Sequence, residues 1–559
     1  MAKHTPLEIS VQNRRLIWSK RNAAIADAYR MREMVDELKI PGYESLVISD
    51  VRAGFNLAKH VLSRNPPRHR IPMGRPLTPS NGNEIEGEEA ISHTERGLMG
   101  MWRFNDDLLF NQGRDWWARI TADNMLGTGW WADWVEVWKD PAGQPWFIAE
   151  PLDPADVFPE WGGIRDGLVA CDRLIRLRAD QVRDRAEQFG WNLPAWVKRQ
   201  KGDEMLILTD HWEAKYNRLD PENPEILNAV ILSAEGKDFS TIKELDKSTD
   251  YVRIPIFTGP VGGMETSSAY YKDPQTVMAR RGQSMLVTPA QVYAALNRVW
   301  TYTLQDLRES IQRTLLHRSE GAQGGITEED LGGIINLEVT EDLKELARQM
   351  FTQSFGEALE KLGSMLQRAM FPWTQFGQTP FELSGVAIER LNEAARSVVG
   401  PSEIGMEKVL STIDIYWLGE FKRQFSPDTS VRLSGRAGGN FERESLFDEK
   451  FTPADISEVR WVHVDVPLAL PSDMLNRANI ARMLQPEGDI VDDLFVLDEV
   501  MMVQDPGLMK RRRLQDQVDK SEFNVRAEGS KRLLEKLQAA AAKGDENGAK
   551  LHMIELAAL

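Results

Sequence analysis

Residues 127–146 read GTGWWADWVEVWKDPAGQPW, with five tryptophans in twenty positions. Broad apolar and polar groups alternate through TGWWADWVEVWKD, PAG makes a turn, and QPWFIAEPL supplies a second run of the same texture. The spacing predicts a β-hairpin, with Trp130, Trp134 and Trp138 on one strand face and Trp131 on the other. A binding cage would aim its rings at one point beside a cation or sugar partner, and no residue of catalytic type accompanies these rings. Nine of the seventeen tryptophans fall in 102–161, which suits a packed hairpin backed by the preceding helix. The stretch reads as a wall rather than a site.

Outward from the hairpin, β texture continues to about 260. PLDPADVFPEWGG (151–163) is a proline-punctuated corner, RLIRLRADQVRDRAEQFG is a strand passing into a helix capped by Gly190, and EMLILTDHWEAKY, NAVILSAE and DYVRIPIFTGP are strands. Helices flank this region. Thr5-Pro6-Leu7-Glu8 is a capping box that opens a helix running to about Glu37. A second helix covers 50–63, residues 72–90 read as a loop, and a helix of about 90–126 leads into the tryptophans. After 288 the texture turns helical. Thr288-Pro289 starts a stripe through Val292, Leu296, Val299/Trp300, Thr303/Leu304, Leu307, Ile311 and Leu315. A Gly-rich loop (321–333) and a short strand (334–339) follow. Thr340 starts a second stripe, through Leu343, Leu346, Met350/Phe351, Phe355, Leu359, Leu362, Leu366 and Met370. FPWTQFGQTPF (371–381) carries no charge, and residues 384–425 form a long helix interrupted at Gly400-Pro401. VRWVHVDVPL (459–468) is a strand and 472–559 is helical.

The formal charge of −17 is uneven. Residues 1–75 hold fourteen Lys/Arg against seven acids, a balance of +7, so the other 484 residues sum to −24. The N-terminal cations are read as a solvated helix face, with a neighbouring subunit's acids as the other reading. An acidic whole argues against tight wrapping of nucleic acid, whose affinity comes largely from neutralised phosphates, but not against letting it pass. No run approaches a membrane span, MAKHTPLEIS has no apolar signal region, and the lone Cys171 rules out an intrachain disulfide and fits a reducing compartment.

Catalytic motifs are missing. There is no GxxxxGK[ST], HExxH, GxSxG or Asp-rich calcium loop, and the eight histidines contain no pair at helical ligand spacing. GPVGG (259–263) lacks the third glycine and following acid of a dinucleotide site. His211 reads as a structural histidine. Asp106-Asp107 and Asp492-Asp493 are sequence neighbours that point apart on a helix. Lys510, Arg511, Arg512 and Arg513 form the one compact basic cluster, either a phosphate contact or a helix face paired with nearby acids.

The order of textures, with VLSRNPPRHRIPM (61–73), FNQGRDWWARITADNMLGTGWWADWVEVW followed by PLDPADVFPEWGG, IPIFTGPVGG, RRGQSMLVTPAQVYAALNRVW, ELSGVAIERL and the 470–517 segment, resembles the portal (head-to-tail connector) proteins of tailed bacteriophages, most nearly those of short-tailed phages. The resemblance spans roughly 1–520. It implies an α+β, predominantly helical portal fold: wing 1–287, stem helix 288–316, clip 317–339, stem helix 340–370, tunnel loop 371–383, kinked helix and return to the wing 384–471, and crown 472–559. It further implies a ring of about twelve copies at one capsid vertex of the virion, assembled in the host cytoplasm and without enzymatic activity, cofactor or membrane contact. The implied partners are double-stranded DNA passing non-specifically through the channel, the terminase large subunit, the major capsid protein and a tail adaptor. Phe371, Trp373, Gln375, Phe376 and Gln378 would line the tunnel, and Lys361 and Arg368 would either face the channel as cations or form inter-subunit salt bridges. A different multimeric virion protein, or a metal-dependent nucleic-acid-processing enzyme, are the alternatives.

Overall fold

A computed structural model describes residues 5–35, 46–71, 83–162, 167–217, 220–234, 239–246, 249–263, 273–311, 315–318, 334–337, 353–370, 385–436, 446–456 and 461–468, with short helical pieces within 531–553. The chain divides into two compact units. One comprises 1–72, 101–431 and 452–470, and the other 73–100, 432–451 and 471–559.

The first unit begins with helices α1 (Pro6–Ile17) and α2 (Ser19–Arg32), followed by α3 (Asp50–Ser63) and strand β1 (Arg68–Arg70). The capping box is present, with Thr5 and Glu8 bonding reciprocally. The expected single helix to Glu37 breaks at Trp18, whose ring is buried against Trp130 and Trp161 while its Nε1 donates to Pro159 O at 3.1 Å. Tertiary docking of one side chain thus outweighs local helical continuity. Helix α4 (Asn83–Asn111) starts inside the stretch predicted as loop, because acids in NEIEGEEA favour a helix start and outweigh its one glycine. It ends before Gly113, at φ +74°, and α5 (Trp117–Thr128) resumes at a new angle, so the expected 90–126 helix is two.

Gly129, at φ +74°, turns α5 into β2; a Cβ there would lie 2.4 Å from Gln283 N. Strand β2 (Trp130–Lys139) is the centre of a three-stranded antiparallel sheet, between β3 (Pro145–Pro151) and β9 (Ile256–Pro260). The second sheet is antiparallel throughout: β4 (Val157–Trp161), β5 (Leu168–Arg178), β6 (Met205–Asn217), β7 (Asp220–Ala234) and β8 (Ser240–Asp246), in that order. Helices α6 (Ala179–Phe189) and α7 (Ala195–Lys198) sit between β5 and β6, and Gly190 caps α6 in the left-handed region as read. The 151–163 corner is a 3-10 turn at Pro154–Asp156 leading directly into β4, so the prolines do not keep it from pairing.

Helix α8 (Pro274–Arg281) precedes α9 (Ala290–Ile311), which starts after Pro289 as predicted. Strands β10 (Leu315–Arg318) and β11 (Ile334–Leu337) pair in parallel, α10 (Gln353–Ala369) follows, and α11 (Gly385–Gln424) runs as one 40-residue helix through Pro401. In the second unit β12 (Val431–Arg436) pairs β13 (Leu446–Phe451), and His93 Nδ1 and Arg96 Nε reach Glu449 at 2.8 and 3.1 Å. Back in the first unit, β14 (His463–Asp465) pairs antiparallel with β1, so the strand expected over 459–468 is described only at 463–465.

The expectation of a predominantly helical portal fold is corrected by these sheets. The chain is mixed, 52% helix and 26% strand among its well-placed residues, with the five-stranded antiparallel sheet as its largest sheet. Cross-strand pairing of β-branched and aromatic residues from 157 to 246 builds a sheet layer that the long helices do not replace.

The tryptophan strand is buried on both faces. Ala132 and Ile256 pack with Val157, Cys171, Trp212 and Ile226, joining the two sheets face to face, and Trp134 closes that layer against Trp212 and Tyr251. From the opposite side Trp117 Nε1 donates to Asp133 Oδ1 at 2.8 Å, and Trp102 packs between Trp117 and Trp417 with its ring tilted to both. Trp138 lies directly across from Trp146 at the hairpin end.

Asp133 is wholly enclosed and its Oδ2 has no hydrogen-bond partner, so burial, outweighing the Trp117 bond, pushes its carboxyl up to about 7. A folded pKa above the unfolded one means that stability is full below about 3.8 and is lost as pH rises through about 7, by on the order of 4 kcal/mol in total. Asp133→Asn removes the titration and keeps an acceptor for Trp117. Denaturant unfolding at a series of pH values is expected to show the variant gaining about 2–3 kcal/mol on the wild type between pH 5 and pH 8. Parallel curves for the two proteins would refute a neutral carboxyl at this position.

Candidate functional site

The residues that the resemblance assigns to the channel fall on and after α10, so the site is built from the α9–α10 pair. The two helices pack against each other. Helix α9 is anchored by side chains at intervals of four. Tyr293 Oη donates to Ile48 O, Asn297 Oδ1 accepts from Ile48 N, and Thr301 Oγ1 accepts from Leu46 N, each at 3.1 Å. All three are buried. Their 100° per residue keeps them on one face, so a row of polar groups zips α9 to an extended segment instead of an apolar stripe alone. The apolar spacing in the sequence indicated the helix but not this row. The signal was present in the Tyr-x-x-x-Asn-x-x-x-Thr spacing.

The outer surface of the pair is uncovered. Trp300 and Leu304, one turn apart, are each 37% exposed, and Met365 on α10 is 54% exposed. Leu366 and Met370 turn inward, and Met370 Cε lies 3.0 Å from where a Cβ on Gly54 of α3 would be. Lys361 and Arg368 are both exposed. Seven residues is 20° short of two turns, so the two cations share a face of α10 about 10 Å apart along the axis. Glu357, also exposed, precedes Lys361 by four on that face, the favourable order for an acid and a base. Neither cation forms an ion pair among the described residues.

Phe371, Trp373, Gln375, Phe376 and Gln378 lie outside the described residues, as do Lys510, Arg511, Arg512, Arg513 and Asp492-Asp493. Of the predicted clip only the β10–β11 pair is described.

The N-terminal cations divide: Arg30, Arg52 and Arg64 lie exposed along the helices, as a solvated face would have them, while others are drawn into contacts with their own chain. Arg14 is buried, with Nη1 2.6 Å from Asp172 and Nη2 2.8 Å from Glu160. Arg21 donates to Val157 O, Lys20 reaches Asp273, and Arg32 and Lys59 share Asp123. These partners belong to the same chain, so the +7 segment fastens itself to the sheets and helices behind it.

His211 is a structural histidine: Nδ1 donates to Asp172 Oδ1 at 2.6 Å. Burial works against its charge, but the bond to Asp172 and the Glu213 carboxylate 3.7 Å from Nε2 outweigh it and raise its pKa. Asp106 accepts Trp117 N and is pushed up to about 6 by burial, whereas Asp107 is exposed beside Arg103, so the two carboxylates do point apart. Glu403 and Glu407 share a face of α11; burial first, then Glu407, push Glu403 up to about 7. Burial also holds the Cys171 thiol well above its ordinary range, leaving it a packing residue. Among the described residues no group of three or more His, Cys, Asp or Glu could hold a metal ion, and no helix is long and apolar enough to cross a membrane.

No protein-family model and no curated protein matches the chain.

The anchoring row and the uncovered surface separate by mutation. Asn297→Ala leaves Ile48 N buried without its acceptor and is expected to lower unfolding stability by about 1–3 kcal/mol. Arg298→Ala, at an exposed position of the same helix, is expected to change it by less than about 0.5 kcal/mol. Chemical denaturation of the two variants checks this, and equal losses would contradict the assigned orientation of α9.

Proposed function

We propose that this chain is a portal protein, the head-to-tail connector of a tailed bacteriophage. It forms a ring of about twelve copies at one capsid vertex and conducts double-stranded DNA during packaging and ejection. The observation that carries the reading is the α9–α10 pair: long amphipathic helices flanking a short strand pair, with Trp300, Leu304 and Met365 left in water by a single chain. Exposed apolar side chains on a packed helical pair favour a neighbouring copy as their cover. The fixed order of segments resembling portal proteins along roughly 1–520 supports the same reading.

Charge fits a conduit. A chain of −17 repeated around a ring repels phosphate at short range and keeps contact with passing DNA weak and sequence-blind. Lys361 and Arg368 on one face of α10 would damp that repulsion, and the uncharged 371–381 stretch would line the tunnel without holding the duplex. The terminase large subunit would supply nucleotide hydrolysis. The major capsid protein and a tail adaptor would dock on the outside of the ring, giving a virion location at the portal vertex.

Deleting 371–381 is expected to leave ring assembly intact and to abolish DNA packaging in an in vitro packaging reaction. Substituting Trp300, Leu304 and Met365 together by serine is expected to shift the particle to smaller species in size-exclusion chromatography with light scattering. A deletion variant that no longer forms rings would make 371–381 an assembly element, and unchanged packaging would remove it from the channel.

A further inference from the structure

Residues 188–202 read QFGWNLPAWVKRQKG, with three cations and no acid in a chain whose net charge is −17. This is the crossover from α6 through α7 toward β6, and it is firmly built. Val197, wholly buried, packs with Leu177, Val182, Leu206 and Leu232 of the sheet layer, and Trp196 Nε1 donates to Ser240 Oγ at 3.2 Å. The turn after α7 is pinned from behind. Arg183 Nη2 donates to Gln200 O at 3.0 Å, Asp180 N to Gly202 O at 3.2 Å, and Glu204 N to Lys201 O at 3.2 Å.

On this fixed turn Lys198, Arg199 and Lys201 are all exposed, and none makes an ion pair or side-chain hydrogen bond among the described residues. The acids that follow, Asp203 and Glu204, pair with none of them. Lys20 and Arg176, exposed cations elsewhere in the first unit, each reach a carboxylate of this chain, whereas Lys361 and Arg368, like the cations of the turn, do not among the described residues. Beside the turn in sequence, Phe189 stacks on Trp191 with ring centres 5.3 Å apart and remains 59% exposed.

We propose that the α7 turn, Lys198, Arg199 and Lys201, is a second DNA contact of this protein, gripping the phosphate backbone of duplex DNA away from the α10 face. Three uncompensated cations on a preorganised turn, with the amides of Gln188, Asn192 and Gln200 near them in sequence, supply the donors that phosphate oxygens take, and contain nothing that reads a base. Contact of this kind is sequence-blind and salt-sensitive, with each neutralised phosphate adding about 0.9 to the slope of log affinity against log salt. The choice of DNA as ligand rests on the conduit reading, which brings DNA to the protein; the cations themselves do not depend on it.

The test uses the full chain and a short fluorescein-labelled duplex of random sequence, with anisotropy read between about 50 and 200 mM salt. The triple variant Lys198→Gln, Arg199→Gln, Lys201→Gln is expected to bind at least about tenfold more weakly at the low-salt end and to lose about 2–3 from the slope. Lys361→Gln with Arg368→Gln is the comparison, expected to leave that part of the slope in place. Light scattering of each protein records the oligomer. Binding and slope unchanged in the triple variant overturn the proposal, and so does a triple variant that binds normally but no longer assembles, which would make the turn a contact with acids of a second copy. A wild type that is monomeric yet loses DNA with the turn cations would fail the ring reading and keep this one. The three substituted side chains are exposed, so a circular-dichroism melt matching the wild type is expected. If the melt differs, Lys198→Arg with Lys201→Arg restores the charge and must restore binding, or the proposal falls.

Discussion

Asp414 sits with no solvent access three-quarters of the way along α11 and accepts two hydrogen bonds, from Trp102 Nε1 at 2.7 Å and His69 Nδ1 at 2.6 Å. Those donors are 312 and 345 residues away in sequence, on α4 and β1. A buried carboxylate with both donors in place is tolerable, and one stripped of a donor is not, so this group fixes which helix lies behind the tryptophan layer. Two other buried acids also tie distant elements, the first through a single donor. Asp133 takes Trp117 Nε1 across the three-stranded sheet, and Asp172 takes Arg14 and His211 beneath α1. Apolar burial supplies most of the driving force, but it is non-directional. These lone acids give the packed layers one register.

The consequence within the first unit is a packed interior with an unequal surface. Around Asp414 and Asp133 the helices and sheets bury one another, and Trp102, Trp117 and Trp417 form a continuous layer behind the hairpin. The α9–α10 pair is tied to that interior at its ends, through Tyr293, Asn297 and Thr301 and through Met370, while Trp300, Leu304 and Met365 remain uncovered. Large apolar side chains are exposed elsewhere as well, Phe110, Leu16 and Phe189 among them, so the helical pair is one of several places where a single chain leaves apolar surface in water.

Much of this was legible in the residues and some was not. The capping box at Thr5, the helix over 50–63, the hairpin with its PAG turn and the Gly190 cap are local signals, and each was read where it lies. The break at Trp18 was not, because nothing in the flanking residues stops a helix there; the ring's pocket is built by residues more than a hundred positions away. The weight of strand was also underread. Helical stripes of twenty residues stand out in a sequence, whereas strands of five to fifteen are recognised only when paired, and their pairing is not local. The fastening of the N-terminal cations followed the same logic, since Asp172 and Asp123 could not be matched to Arg14 and Arg32 from spacing alone. A lone acid inside an apolar run, as in WWADWVEVW and STIDIYWL, was the available sign of the buried carboxylates.

On the proposed reading, one chain is an incomplete object whose function belongs to a closed ring. Native mass measurement of the purified full-length protein tests it most directly. A single closed species near twelve times the 63.5 kDa chain mass, appearing as a ring with a central channel in projection images, is expected. A stable monomer with metal-dependent nuclease activity would contradict it.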